Sequence, residues 1–485
     1  MAASAEAYFN LGESYRRAGK LEAAIDAYRN AVQLAPGFAE AHASLGGTLG
    51  MLGRFDEAIA ACTAAVRLQP GHVPARNSLG LALQGRGRTD EAIAAFRQAI
   101  AIKPDHAFSH NNLGSALQAA GRLDDAVAAF AQAVRLQPNF VYAANNLGNA
   151  LQECGRVDEA LAAFGHALRL DPSHPNVHWN FAMALLLKGD FARGWLEYEW
   201  RLKCADCPAR KFSQPMWDGA DLGGRTILLH AEQGLGDAIQ FARYAALVAA
   251  RGGRVILECQ PALVRLFKTL EGVEHVIAMG EGLPAFDVHC PLLSLPRAFA
   301  TRLETVPTSM PYLRADAKTV EMWREKIGDH PARLKVGLAW AGSRSNPNDR
   351  NRSVTPRQLA PLTGVPGIQF FSLQKGQPGE PADVACKELG LIDYTRELHD
   401  FAETAGLISN LDLVITIDTS VAHLAGAMGK RVWVLLPFAP DWRWMLGRAD
   451  SPWYPTMRLF RQPARGDWAA TIEAVRQALE SWATE

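Results

Sequence analysis

Residues 79–104 read Leu79-Gly-Leu-Ala-Leu-Gln-Gly-Arg-Gly-Arg-Thr-Asp-Glu-Ala92-Ile-Ala-Ala-Phe96-Arg-Gln-Ala99-Ile-Ala-Ile-Lys-Pro104. The marks in this stretch recur at intervals of 34 residues. Leu-Gly stands at Leu11-Gly12, Leu45-Gly46, Leu79-Gly80, Leu113-Gly114 and Leu147-Gly148. Alanine follows at 24, 58, 92, 126 and 160, a mostly aromatic position at Tyr28, Cys62, Phe96, Phe130 and Phe164, a second alanine at 31, 65, 99, 133 and 167, and proline at 36, 70, 104, 138 and 172. A fixed period of this length marks stacked supersecondary units that bury a face only against their neighbours. Each unit holds two amphipathic helical stretches. The alanines let the pair approach closely, the aromatic fills the gap, and proline opens the next unit where its missing N–H costs least. Five full repeats over 5–174 predict an α-solenoid. A sixth, over 175–203, keeps the helical pattern but has Phe181-Ala182 for Leu-Gly and Gly194 for alanine, as expected of a capping unit. Its two tryptophans, Trp195 and Trp200, predict docking onto the domain that follows.

The first helix of each repeat carries a polar column: Asn10, Ser44, Ser78, Asn112, Asn146 and Asn180, with Asn77, Asn111 and Asn145 just before it. Helix interiors disfavour asparagine. The column is read either as an inter-helix hydrogen bonder copied with the repeat, or as a ladder of amides along the concave groove that bonds an extended peptide backbone. The repeats resemble the tetratricopeptide repeat (TPR), and the column is similar to that of the TPR arm of O-GlcNAc transferases. That resemblance implies a polypeptide acceptor held by Asn77, Asn111, Asn112, Asn145, Asn146 and Asn180.

Beyond 203 the period disappears, and short β-branched or apolar runs alternate with helical patterns. Thr226–His230 and Arg254–Glu258 read as strands flanking a turn, Gln233-Gly-Leu-Gly-Asp237, and a helix over 238–250. A second series has strands at Leu334–Trp340, Ile368–Leu373, Leu413–Ile417 and Val432–Leu436, helices at 401–410 and 421–428, and a closing helix at 468–482. Two β/α halves, 222–316 and 333–485, are predicted, with a ligand cleft beyond the carboxyl ends of their strands.

Three loops in these halves carry chemistry. Gly234 and Gly236 allow close backbone approach at a helix N-terminus, and Asp237 is read either as the helix N-cap or as a general base. The loop after the 334–340 strand holds Arg344, Arg350, Arg352 and Arg357 against one acid, Asp349. It is either a solvated basic loop or a set of guanidinium forks for phosphate, with Lys375 at the next strand end as a further cation. The run Ile417-Asp-Thr-Ser-Val-Ala-His423 ends a strand at Asp418 and offers the Thr419 and Ser420 hydroxyls at a helix start. That is an anion seat, with His423 on the first turn either as a ligand contact or as a packed core histidine.

Together with Gly194-Trp-x-x-Tyr-Glu-Trp-Arg201 and Asp441-Trp-Arg-Trp444, these motifs resemble the bacterial heptosyltransferase-like GT-B glycosyltransferases, in the TPR-fused branch that includes flagellin- and protein-modifying enzymes. The resemblance implies two Rossmann-like halves and transfer of a sugar from a nucleotide-sugar to a protein hydroxyl. It gives Asp237 as catalytic base and Asp418, Thr419, Ser420 and His423 as the donor-binding turn; Gly234, Gly236, Arg352 and Lys375 are read from their own loops as further donor contacts, the choice of phosphate-binding arginine within 344–357 being left open. Transfer to a lipopolysaccharide or other glycan, and a non-catalytic TPR adaptor, are the alternatives. The chain has no Asp-x-Asp triplet to hold a metal on a nucleotide diphosphate, so neither metal nor other cofactor is expected.

Composition agrees with such a chain. Its 485 residues allow roughly three domains. With 50 basic and 50 acidic residues it lacks the net field that gathers nucleic acid or an anionic membrane. Its seven cysteines, an odd number scattered along the chain, read as reduced thiols, and neither a signal peptide nor a membrane span is expected, so the cytoplasm fits best. Cys204 and Cys207 form a lone C-x-x-C with no second pair to complete a zinc site.

Overall fold

The computed structural model describes residues 4–205, 210–328, 334–344, 346, 348–375 and 382–484. Contacts divide the chain into two compact units, Met1–Phe181 and Ala182–Glu485. Cys207 lies outside the described residues.

The first unit is a helical solenoid. Its helices run as pairs: α1 (Ala5–Arg17) with α2 (Leu21–Leu34), α3 (Ala39–Met51) with α4 (Phe55–Leu68), α5 (Val73–Gly85) with α6 (Thr89–Ile102), α7 (Ala107–Ala119) with α8 (Leu123–Leu136), and α9 (Val141–Glu153) with α10 (Val157–Leu170). Helix α11 (Pro175–Lys188) follows. The repeated glycine has a steric cause. A methyl group on Gly12, Gly80, Gly114 or Gly148 would lie 2.5–2.7 Å from the ring of Tyr28, Phe96, Phe130 or Phe164, and Gly46 meets the Cys62 sulfur in the same way. These partners are 0% exposed, so each repeat is closed by one large side chain pressed onto bare backbone. Between paired helices the chain reverses at Gly19, Gly53, Gly87, Gly121 and Gly155, each with φ between 73° and 76°, where a side chain would be strained. First helices of successive repeats touch one another more than second helices do, so they form the inner layer of the solenoid.

The second unit begins within α11 and continues into α12 (Phe191–Tyr198), which packs Trp195 against Phe241, Trp442 and Trp453 at ring-centroid distances of 6.3, 5.3 and 6.3 Å. By contacts, residues 182–203 therefore belong with the α/β region, although their helical pattern continues the repeats. Two parallel sheets follow. The first has β1 (Thr226–His230), β2 (Arg254–Cys259), β3 (Val273–Ala278) and β4 (Val288–Pro291) in the order β3-β2-β1-β4. The second has β5 (Leu334–Ala339), β6 (Ile368–Ser372), β7 (Ile392–Asp393), β8 (Leu413–Ile417), β9 (Val432–Leu436) and β10 (Met457–Arg461) in the order β10-β9-β8-β5-β6-β7. Every residue of β1, β8 and β9 is buried, as both faces of a parallel sheet are covered by helices. Strand order reverses between β1 and β4 and between β5 and β8, and parallel α/β sheets open a crevice beyond the strand ends at such points. Among the described residues no helix is long and apolar enough to cross a membrane.

Candidate functional site

The loop after β1 and the turn after β8 meet. Helix α13 (Leu235–Phe241) starts at Gly234 and packs on the helix Ser420–Ala427. Their contact point is Gly236, where a methyl group would lie 2.9 Å from His423 Cδ2 and 3.6 Å from the Ser420 Cα. Any side chain at 236 would push the two helix N-termini apart, which is a physical reason for glycine there.

Asp237 stands at the third position of α13; the N-cap is Gly234, whose N–H donates to Asp237 Oδ2 over 2.9 Å. The aspartate therefore caps from inside the helix, not from the N-cap position itself. Its Oδ1 receives Arg443 Nη2. Arg443 also donates through Nη1 to Asp441 Oδ1 over 2.9 Å and through Nε to Gln240 Oε1 over 2.7 Å. Burial pushes the Asp237 carboxyl above its ordinary value, with the Arg443 guanidinium pulling against it.

On the facing turn, Thr419 is the N-cap of Ser420–Ala427, in extended backbone, with its hydroxyl 3.2 Å from that of Thr416. Asp418 is partly buried, and its carboxyl is raised to about 6 by burial and by Asp441, against Arg352 and Arg443. Of the basic loop, Arg352 reaches this turn, donating to the Asp418 carbonyl over 2.8 Å while its Nε lies 3.4 Å from Asp349 Oδ1. Ser345 and Pro347 of that loop lie outside the described residues. His423 is 4% exposed, bonds the Tyr454 hydroxyl through Nδ1 at 2.9 Å and stacks on Trp444 with centroids 5.5 Å apart. Burial, then Arg443 and Arg243, drive its imidazole well below the usual range, so it is neutral and packed. Lys375 stands apart: it is exposed, and its ammonium bonds the Leu398 carbonyl.

The charged members of Asp441-Trp-Arg-Trp444 and Gly194–Arg201 have partners that no local sequence pattern points to. Arg443 carries the ion pairs just described. Arg201 is 0% exposed and donates to Glu232 Oε1 and Oε2 at 3.1 and 3.0 Å, to Ser294 Oγ at 2.8 Å and to Glu199 Oε1 at 2.9 Å. It pins the segment between β1 and α13 that leads into Asp237. Among the described residues no three His, Cys, Asp or Glu side chains gather where they could hold a metal ion.

In the solenoid the amide columns bond to one another. Asn146 Nδ2 donates to Asn111 Oδ1 over 3.0 Å, and Asn180 Nδ2 to Asn145 Oδ1 over 2.9 Å. Asn77 is buried and donates to Ser109 Oγ over 2.8 Å and to the Val73 carbonyl over 3.1 Å, while Asn112 is half-buried. The inter-helix role is thus present. Each bonded amide retains further donors and acceptors beyond it.

Comparison with known proteins divides along the same line. Tetratricopeptide repeat models match residues 5–38, 38–105, 74–139, 111–175 and 145–198, and the N-terminal region is a run of these repeats. Protein FlbA of Caulobacter vibrioides is 32% identical over 333 residues, covering 62% of this chain and 54% of that protein. That share of the chain is larger than the repeats occupy, so the likeness continues beyond them, while the chain spans about half the length of this relative. A thermophilic TPR protein of Thermus thermophilus aligns with 38% of this chain and 100% of its own, at 25% identity and a TM-score of 0.34. MamA aligns with 36% of this chain and 94% of its own, at 28% identity and a TM-score of 0.32.

Proposed function

We propose that the second unit is a metal-independent glycosyltransferase of the GT-B kind, moving a sugar from a nucleotide-sugar to a hydroxyl of a polypeptide bound by the repeats. The observation that carries this reading is the meeting of the Gly234–Asp237 loop with the Asp418–His423 turn, each at the carboxyl edge of its own parallel sheet. A carboxylate and a helix N-terminus flanked by Arg352 and Arg443 then share one crevice. Asp237 takes the proton of the acceptor hydroxyl as its oxygen bonds to the anomeric carbon, and the bond from that carbon to the diphosphate breaks. The nucleoside diphosphate leaves with the negative charge, which the N–H groups at Ser420 and the two guanidinium groups stabilise. Gly234 and Gly236 keep the backbone bare at the crossing, and Arg201 holds the approach to Asp237 through Glu232.

Thermal melting of the full chain against UDP, ADP, GDP and CMP and their sugar conjugates tests the reading. A native-state ligand raises the melting temperature. At least one nucleotide should do so for the wild type, and less for Arg352→Gln. Stabilisation by none of them would leave a TPR adaptor in place of an enzyme.

A further inference from the structure

The open face of the inner helices α5, α7 and α9 has a composition unlike the rest of the chain. Positions 74, 77, 78, 81, 84 and 85, and their equivalents 34 and 68 residues on, form one stripe on each helix, spaced by three and four residues, in which Asn77 alone is buried. Of these eighteen positions one is charged, Glu153, although the chain's 21% charged fraction would put about four there. Glu153 is itself engaged by Gln118 Nε2 over 2.6 Å. The remainder are amides, serine, small residues and four larger side chains, among them Leu81, Phe108 and Tyr142. The stripes are continuous, because Asn111–Asn146 and Gln118–Glu153 bond across adjacent repeats.

Two rings stand out of this surface one repeat apart. Phe108 is 51% exposed and Tyr142 63% exposed. Each is propped by an aromatic neighbour, Phe108 by Phe140 at a centroid distance of 4.6 Å and Tyr142 by His174 at 5.6 Å. Charges are instead carried by the outer helices, whose first turns hold Asp90 and Glu91, Asp124 and Asp125, or Asp158 and Glu159 beside Arg88, Arg122 and Arg156.

Resting on the proposal that the repeats bind a polypeptide acceptor, we infer that this face binds an extended, uncharged segment, rich in hydroxyl and amide side chains, with Phe108 and Tyr142 as its anchors. A neutral groove offers no ion pairs to a charged peptide and would strip water from its charges without return. Spare amide donors and acceptors at each repeat match the backbone groups of an extended chain, and exposed rings supply apolar contact at low entropic cost. Scattered rings among amides lack the broad apolar area on which a second copy of the chain would pack.

An array of synthetic peptides of about fifteen residues, with acidic, basic and uncharged compositions, probed with the full chain and with Phe108→Ala/Tyr142→Ala, tests this. Both rings are exposed and each rests on one neighbour, so the variant should keep its fold and melt only modestly below the wild type. Uncharged peptides should bind best, with affinity nearly unchanged between about 0.05 and 0.5 M salt, and the double variant should lose about tenfold or more. Preference for charged peptides, binding that falls with salt, equal binding by the variant, no peptide binding at all, or self-association abolished by the variant would each overturn the inference. Peptide binding without sugar transfer would leave it standing and remove the transferase, whereas transfer unaffected by the double variant would remove this inference alone.

Discussion

The solenoid repeats every structural decision five times, and the α/β unit makes each of its decisions once. Gly114 against Phe130 is one of several such contacts, and its neighbours stand on their own copies. Gly236 against His423 has no duplicate among the described residues. Repetition spreads stability and binding over many weak, equivalent contacts. A unique site concentrates its chemistry in a few groups, so single substitutions should divide the two regions by the size of their effect.

Asp237→Asn should have the largest. It leaves one carbonyl oxygen to serve both the Gly234 N–H and Arg443, and it removes the base, so transfer should fall by about 100-fold or more and the melting temperature should drop as the buried ion pair is lost. The burial that raises this carboxyl also sets the acid limb of the wild-type rate profile above that of an exposed aspartate, because the base works only when ionised and loses activity as pH falls through its raised value. Equal turnover by the variant would reduce Asp237 to a capping residue.

Gly114→Val tests the other side. Its Cβ would lie 2.7 Å from the Phe130 ring, so α7 and α8 must separate, at a cost of about 1–3 kcal/mol in urea unfolding. If repeats are independent enough, donor binding by the second unit should survive. A variant that also lost nucleotide binding would break the comparison.

The regularity of the first unit is also why it was legible. Five copies let the period, the pairing glycine and the closing aromatic be read without any structure. The α/β unit was legible only where apolar or β-branched residues dominated a run: β1, β2, β5, β6, β8 and β9 were expected, whereas β3 carries Glu274 and His275, β7 has two residues, and neither they nor β4 and β10 announced themselves. The same limit applied to the site. Asp237 and Asp418 were visible as loop residues beside strands, but Arg443 pairs with a carboxylate 206 residues away, and no local pattern encodes that meeting. For the asparagines, sequence named the columns and left their partners open, since a bond at a spacing of 35 residues depends on how adjacent repeats are rotated.

A smaller effect is expected for His423. Its neutral form is favoured in the fold, so the unfolded chain binds a proton that the native state refuses, and stability falls as pH drops below about 6.5. The slope from this one group is at most about 1.4 kcal/mol per pH unit. The difference in stability between the wild type and His423→Asn should therefore shrink from pH 7 towards pH 5, whatever constant offset the lost stack on Trp444 adds. A difference independent of pH would mean that the imidazole takes up its proton in place.

The smallest effects belong to the asparagine columns, for two separate reasons. Asn146→Ala deletes the donor to Asn111 Oδ1, but both residues are half-buried, so water replaces the lost partner and the net cost should be about 1 kcal/mol or less. Asn77 is 8% exposed, and water cannot enter so easily. Yet Asn77→Ala also deletes its own Oδ1, which is buried without a hydrogen bond, and the Ser109 hydroxyl it leaves keeps His106 Nδ1 at 2.7 Å. Loss of a good bond and removal of an unsatisfied oxygen should largely cancel. Urea unfolding of the two single variants and of the pair should therefore give three small, additive shifts, as befits sites in different repeats with no shared partner. A loss of several kcal/mol from either single change would mean that one rung sets the packing of its neighbours, and the solenoid would then be as dependent on unique contacts as the α/β unit.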